Sequence, residues 1–106
     1  MSGHFIDVIL PIPIQKTFTY SVTQYEYEFL KKGMRVAVSF GKTKMYTGLV
    51  FKLHQIPPET YDAKEILQIL DDKPIVTEHQ LKHWEWVSTY YMCGLGDVYR
   101  AALPSA

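Results

Sequence analysis

Arg35-Val36-Ala37-Val38-Ser39-Phe40-Gly41-Lys42-Thr43-Lys44 alternates polar and apolar side chains, weakened only at Ala37, and then stops at a glycine. Period-two alternation puts Val36, Val38 and Phe40 on one face of a strand. Gly41 to Lys44 reads as a hairpin loop, and Tyr46 to His54 as the return strand. The apolar face needs a partner to cover it, so the two segments are expected to pair antiparallel. Gly48, inside the return strand, signals a bulge or close packing.

On the N-terminal side, Phe5 to Leu10 is rich in β-branched and aromatic residues and reads as a strand. Pro11-Ile12-Pro13 ends it, because two prolines remove ladder donors and fix φ. Phe18 to Val22 is a second, short strand, and Tyr25 to Lys32 has room for a single helical turn closed by Gly33. Ile56-Pro57-Pro58-Glu59 is a loop. Lys64 to Leu70 fits a helical stripe almost as well as a strand. The strand is preferred because Asp71-Asp72-Lys73-Pro74 stops it so soon.

Thr77-Glu78-His79-Gln80 has the form of a capping box. The helix it opens should run to about Met92, with Leu81, Trp84, Val87, Ser88 and Tyr91 on one face, and Leu81, Trp84, Val87 and Tyr91 buried. Gly94 is the expected left-handed stop. A shorter helix follows, capped by Asp97 and ended by Pro104. Strands come first and helices last. The expected class is α+β, a small twisted antiparallel sheet or partial barrel followed by C-terminal helices. Residues 1–4 read as a flexible start or an expression remnant, and residues 5–106 as a single domain.

At 106 residues with 47% hydrophobic and 21% charged side chains, the chain has the balance of a domain that folds around a core. Its apolar runs are far shorter than the ~20 residues of a membrane-spanning helix. No signal-peptide pattern stands at the start. Cys93 is the single cysteine, which excludes an internal disulfide and fits a reducing compartment. Eleven basic side chains balance eleven acidic ones, unlike a protein that grips long duplexes through many phosphates. The balance is uneven along the chain: residues 1–52 carry seven cations and three acids, residues 53–106 four cations and eight acids. Six cations and no acid lie from Lys31 to Lys52, which is either a local anion site or a solvated lysine face.

Enzymatic motifs are sparse. His79 and His83 are four apart on a helix, as two metal ligands would be. Gln80 stands where a metalloprotease helix has glutamate, and no further ligands complete a set, so a solvated helix face is the better reading. Cys93 with a histidine is the one nucleophile pair available, although a lone cysteine after an apolar helix is more often a packing residue. Gly94-Leu95-Gly96 is a helix junction, not a dinucleotide fingerprint. Phe18, Tyr20, Phe40 and Tyr46 lie near Lys16, Lys42 and Lys44 in sequence, as base-stacking aromatics lie beside cations. The same aromatics would also serve an ordinary small β core.

Several pieces, taken in order, resemble one family. They are the strand into Leu10-Pro11-Ile12-Pro13 with Thr17-Phe18-Thr19-Tyr20; Gly33 to Lys42; Thr47-Gly48-Leu49-Val50; Lys64 to Asp71; Tyr90-Tyr91; Gly96-Asp97-Val98; and Ala102-Leu103-Pro104. Their order and spacing resemble the N-terminal domain of the primosomal replication-restart helicases, the PriA family, over about residues 5–104.

That resemblance implies a non-catalytic domain that captures the 3′ end of the nascent leading strand at a stalled fork. The terminal nucleotide would enter a shallow pocket. The family's pocket residues correspond to Phe18, Thr19, Gly41 and Lys64, with Lys42 and Lys44 as auxiliary phosphate contacts and no metal. Thr19 replaces an aspartate of the best-known members, and as a neutral acceptor it should contribute roughly 1 kcal/mol less toward a 3′-hydroxyl. The parent chain would be an ATP-dependent 3′–5′ DNA helicase. ATP, magnesium and zinc would belong to its other parts, and no cofactor to this domain. Its partners would be forked DNA, other primosome proteins and single-strand-binding protein, in the bacterial cytoplasm at the nucleoid and without a membrane. Two other readings of the residues remain: a β-rich interaction module docking onto helicase lobes or single-strand-binding protein, and a small hydrolase built on Cys93 and a histidine.

Overall fold

Among the described residues (3–12, 16–59 and 61–103), the computed structural model orders the chain as β1 (His4–Ile9), β2 (Phe18–Val22), α1 (Gln24–Phe29), β3 (Arg35–Phe40), β4 (Lys44–His54), β5 (Gln68–Ile69), α2 (Glu78–Tyr91) and α3 (Leu95–Ala102). The strands form one sheet in the order β2-β1-β4-β3-β5, and every neighbouring pair is antiparallel. The expected hairpin is present: Val36 pairs with Gly48, Val38 with Tyr46 and Phe40 with Lys44. β4 begins two residues earlier than expected, so the turn is Gly41–Thr43, with Gly41 at φ +69°. The expected stops at Pro13 and Pro104, and Met1 and Ser2 of the expected flexible start, lie outside the described residues. His4 is not part of a loose start: it opens β1, and its ring lies 4.8 Å from that of Tyr27.

The sheet curls until its two edges meet. Lys64 to Leu70 is the piece that joins them, and only Gln68–Ile69 within it is regular strand. The Ser21 N–H donates to the Lys64 carbonyl and the Ile66 N–H to the Ser21 carbonyl, at 2.7 and 3.3 Å. Farther along, the Leu67 and Leu70 N–H groups donate to Ala37 and Arg35 carbonyls of β3, at 2.8 and 2.9 Å. The same segment thus serves β2 and then β3. Its near-equal helix and strand patterning reflects that it belongs to neither ladder for long.

Inside the curl, Ile6, Val8, Tyr20, Val22, Val36, Val38 and Val50 form a buried cluster with Leu30, Met34 and Ile66. The alternation of β1 to β4 dictates this face. Of the two readings of Gly48, close packing holds and the bulge lies elsewhere. Asp7 pairs with Lys52 and Val8 with Val50, so Phe51 is the extra residue. Gly48 instead permits close packing, since a Cβ there would stand 3.2 Å from Val8 Cβ and 3.3 Å from Leu10 Cδ2. The bulge breaks the period-two pattern, so Val50 and Leu53 both face the inner cluster although three apart. It also turns Phe51 outward, under the helices.

On that outer face, Ile9, Leu49, Phe51 and Val76 pack against Leu81 and Trp84 of α2 and Leu95 and Tyr99 of α3. The expected capping box at Thr77 and Gln80 is formed on both sides, and an unanticipated one stands at Thr23 and Glu26, opening α1. Three details of the helices differ from expectation. Met92, not Gly94, takes the left-handed turn (φ 55°) that ends α2. Gly94 is the extended N-cap of α3, and Asp97 sits at the third helical position, its Oδ2 accepting from the Gly94 N–H at 3.2 Å. Tyr91 is not buried with Leu81 and Trp84 but 67% exposed. The reason is the course of α3. It turns back toward β1 so tightly that a Cβ on Gly96 would lie 1.9 Å from the Ile12 carbonyl oxygen. The last turn of α2 therefore runs on past its cover, and in solvent Trp86 stacks on Tyr90 while Tyr90 meets Tyr91 edge to face.

Two polar anchors hold the layers. The Tyr99 hydroxyl, with its side chain fully buried, donates to the Thr47 carbonyl at 2.9 Å and ties α3 to β4. Burial pushes the Tyr99 pKa up to about 12, with nearby Asp71 adding to the rise and Arg35 opposing it. At the foot of β3, Arg35 makes a fork with Asp71: Nε to Oδ2 and Nη2 to Oδ1, both 2.9 Å, with the Arg35 N–H also donating to Oδ2 at 2.9 Å. The Arg35 side-chain hydrogen bond is the main cause holding the Asp71 carboxyl below its ordinary value.

Candidate functional site

The curled sheet is open where the Gly41 turn and the start of β2 meet. A cleft of about 290 Å³ occupies the open end. Phe18 and Tyr20 come from the inner face of β2, and Phe40 from the inner face of β3. The Phe18 and Phe40 rings meet edge to face at 5.0 Å, and Phe40 meets Tyr46 at 6.0 Å. Both phenylalanines are only partly buried against the inner cluster, which leaves apolar ring surface toward the opening. Tyr20 is buried, and its hydroxyl spans the barrel to donate to the Ser39 carbonyl at 2.7 Å. Burial first, and the Tyr61 phenol beside it second, push its pKa up to about 12.

All four residues expected at a pocket, Phe18, Thr19, Gly41 and Lys64, line this cleft. Two of them touch: Lys64 Nζ donates to the Gly41 carbonyl at 3.0 Å. An ammonium has three donors, so two remain for something else. A Cβ built on Gly41 would meet nothing within 4 Å. Glycine here supplies the positive φ and leaves the backbone bare on the cleft side.

Thr19 is placed differently from the other three. Its hydroxyl donates to Asp7 Oδ1 at 2.7 Å, across the β1–β2 pair. Asp7 Oδ1 also holds His54 Nε2 at 2.8 Å, while the Ile56 N–H donates to His54 Nδ1 at 3.1 Å. The second bond makes Nδ1 the acceptor and puts the ring proton on Nε2, facing Asp7. Strand alternation explains the arrangement: Phe18 and Tyr20 face inward, so the Thr19 side chain faces out. What Thr19 brings to the cleft is its backbone, whose N–H donates to the Tyr61 hydroxyl at 3.0 Å.

Lys42 and Lys44 stand exposed on and just after the turn, outside the cleft lining. Lys16 takes the place at its wall, with Nζ 5.6 Å from the centre of the Phe18 ring. The other cations of the acid-free run divide up. Arg35 is held by Asp71, Lys32 pairs with Glu78 at 3.7 Å, and Lys52 lies over the Phe51 ring at 5.7 Å. A second groove, beside Lys31, Lys32 and Glu78, lacks aromatic walls.

Sequence reasoning missed Tyr61 and Asp62, which line the cleft ahead of Lys64. The available signal was the spacing: residues two apart on an extended segment share a side, so Asp62 goes where Lys64 goes. On α2, the His83 ring stacks on Trp86 at 6.0 Å, and no cluster of three metal-ligating side chains exists among the described residues. Nor does any histidine pair with the Cys93 thiol among them. No helix of the described chain is long and apolar enough to cross a membrane.

Comparison with known proteins places the chain in a family. Residues 7–104 match the family described as the 3′ DNA-binding domain (3′BD) of PriA. The replication restart protein PriA of Haemophilus influenzae is 37% identical over 100 residues, which are 93% of this chain and 13% of that protein. The Treponema pallidum protein of the same name is 25% identical over 105 residues, 95% of this chain and 16% of that protein. That of Buchnera aphidicola is 28% identical over 102 residues. The chain thus spans only 13–16% of the length of these relatives.

Proposed function

The chain belongs to the PriA 3′ DNA-binding domain family, and from that premise we propose that its open cleft captures the terminal nucleotide of a DNA strand ending in a 3′-hydroxyl. The strand would be the nascent leading strand at a stalled replication fork. The observation that carries this reading is convergence. Phe18, Gly41 and Lys64, far apart in sequence, line one cleft of about 290 Å³, with the Lys64 ammonium already seated on the Gly41 carbonyl.

Each wall has a task. The half-buried rings of Phe18 and Phe40 offer a stacking surface, worth roughly 1–3 kcal/mol per base in such platforms. Bare backbone at Gly41 lets the sugar come close. The two remaining Lys64 donors meet the last phosphate. Lys42 and Lys44, outside the cleft, attract the strand without reading it, and balanced charge suits a site that grips one end. In a longer chain of this family the domain would aim a 3′–5′ helicase, whose ATP, magnesium and zinc sites would lie elsewhere. Primosome proteins and single-strand-binding protein would be partners of that longer chain in the bacterial cytoplasm, at the nucleoid.

Fluorescence anisotropy tests the proposal with a linear oligonucleotide ending in a 3′-hydroxyl and a circle of the same sequence. The linear strand should bind more tightly, with a shallow log-log salt slope of about −1 to −2, as one or two phosphate contacts require. Equal affinity for both with a steep slope would replace end capture by ordinary backbone binding.

A further inference from the structure

We propose that Asp62, and not Thr19, is the side chain that reads the terminal 3′-hydroxyl and turns away a strand ending in phosphate. This inference rests on the end-capture reading and assigns it a specificity residue. The Thr19 hydroxyl gives its proton to Asp7 across β1–β2 and is thereby already engaged. Asp62 lines the cleft itself. It is exposed, and among the described residues no hydrogen-bond donor or cation engages its carboxylate.

The surroundings of that carboxylate say what it accepts. The cleft holds two cations, Lys16 and Lys64, and aromatic rings, which suits a base attached to a phosphate. A carboxylate among them is unfavourable toward the anionic backbone unless a donor of the ligand meets it, because an ionised carboxyl can only accept. Asp62 and Lys64 are two residues apart and line the same cleft, so they meet neighbouring groups of one nucleotide. With Lys64 on the phosphate, Asp62 faces the sugar, while the base lies against Phe18 and Phe40. The sugar's only donor at a DNA 3′ end is the terminal hydroxyl. A hydroxyl bonded to a carboxylate forms one of the stronger hydrogen bonds. A terminal phosphate would set a charge of about −1.5 to −2 against it.

The test measures anisotropy of labelled oligonucleotides ending in 3′-hydroxyl or 3′-phosphate, with the circle as reference, on the wild-type chain, Asp62→Asn and Thr19→Val. Asp62 is exposed, so its substitution leaves the fold intact. The wild type should prefer the hydroxyl end by about tenfold or more, and Asp62→Asn should shrink the gap to about twofold, mainly by gaining affinity for the phosphate end. Thr19→Val should keep the wild-type gap. The inference is overturned if Asp62→Asn keeps the full gap or if Thr19→Val closes it. It is also overturned if Asp62→Asn changes only the preference between a terminal dA and dT, which would make Asp62 a reader of the base. A wild type that prefers hydroxyl ends over circles but ignores the phosphate defeats this inference alone. One that treats circle and linear strand alike defeats the end-capture reading beneath it.

Discussion

Trp84 and Tyr99 stack at 6.1 Å beneath the helices, while Phe18 and Phe40 meet at 5.0 Å at the open end of the barrel. The two pairs have similar ring content and opposite surroundings. Trp84 and Tyr99 are buried, and the one hydroxyl between them is satisfied by Thr47. Phe18 and Phe40 keep part of their surface outside, next to an ammonium with donors to spare and a carboxylate without a partner among the described residues. Aromatic residues alone do not mark a site. The distinguishing feature is hydrogen-bonding and apolar capacity left unspent where solvent can reach it. The closed pair should therefore answer to stability measurements and the open pair to binding.

The largest effect is expected at the closed pair. Trp84→Ala should cost about 3–5 kcal/mol, a large share of the stability of so small a domain, read as a fall in the urea midpoint. A loss below 1 kcal/mol would mean that the helical layer is not cooperative with the barrel. Next comes the Arg35–Asp71 fork at the base of β3. Asp71→Asn should cost about 1.5–3 kcal/mol. Because the folded-state pKa of Asp71 is lowered, its contribution is present above the ordinary carboxylate pKa and is lost as pH falls through the lowered value. The variant should flatten the acid limb of a stability–pH curve. At the alkaline end the sign reverses. Tyr20 and Tyr99, raised from 10.0 to about 12, contribute fully below pH 10 and lose that contribution as pH rises toward 12.

At the open pair the readout changes. Phe18→Ala should weaken binding of a 3′-ended oligonucleotide by about 1–3 kcal/mol, with a smaller loss of folding stability than Trp84→Ala. If stability falls as far as binding does, the two regions are not separable in the way their exposure says. The smallest effect is expected from Lys64→Ala, which should reduce the magnitude of the log-log salt slope by about 1, the signature of one lost phosphate contact. An unchanged slope would leave Lys64 a brace for the Gly41 turn.

How much of this was legible in the residues depends on whether the cause was local. Alternation at Val36, Val38 and Phe40 is a property of one strand, and a hairpin closes on itself within a few residues. The pairing was therefore readable, as was the capping box at Thr77, whose two hydrogen bonds span three residues. The gathering of Phe18, Thr19, Gly41 and Lys64 was expected only through family resemblance. Nothing in their spacing requires that Lys64 reach Gly41, because the contact needs the sheet to curl and the 64–70 segment to cross from β2 to β3. The parity break at Phe51, the exposed Tyr91, the left-handed Met92 and the outward hydroxyl of Thr19 are likewise settled by neighbours distant in sequence. The order of strands and helices, and which face of each strand is apolar, follow from covalent alternation and nearest-neighbour hydrogen bonds. Where the cleft opens, and which polar groups beside it lack a partner among the described residues, depend on the closure of the sheet, and closure is a contact between chain segments that local physics does not see.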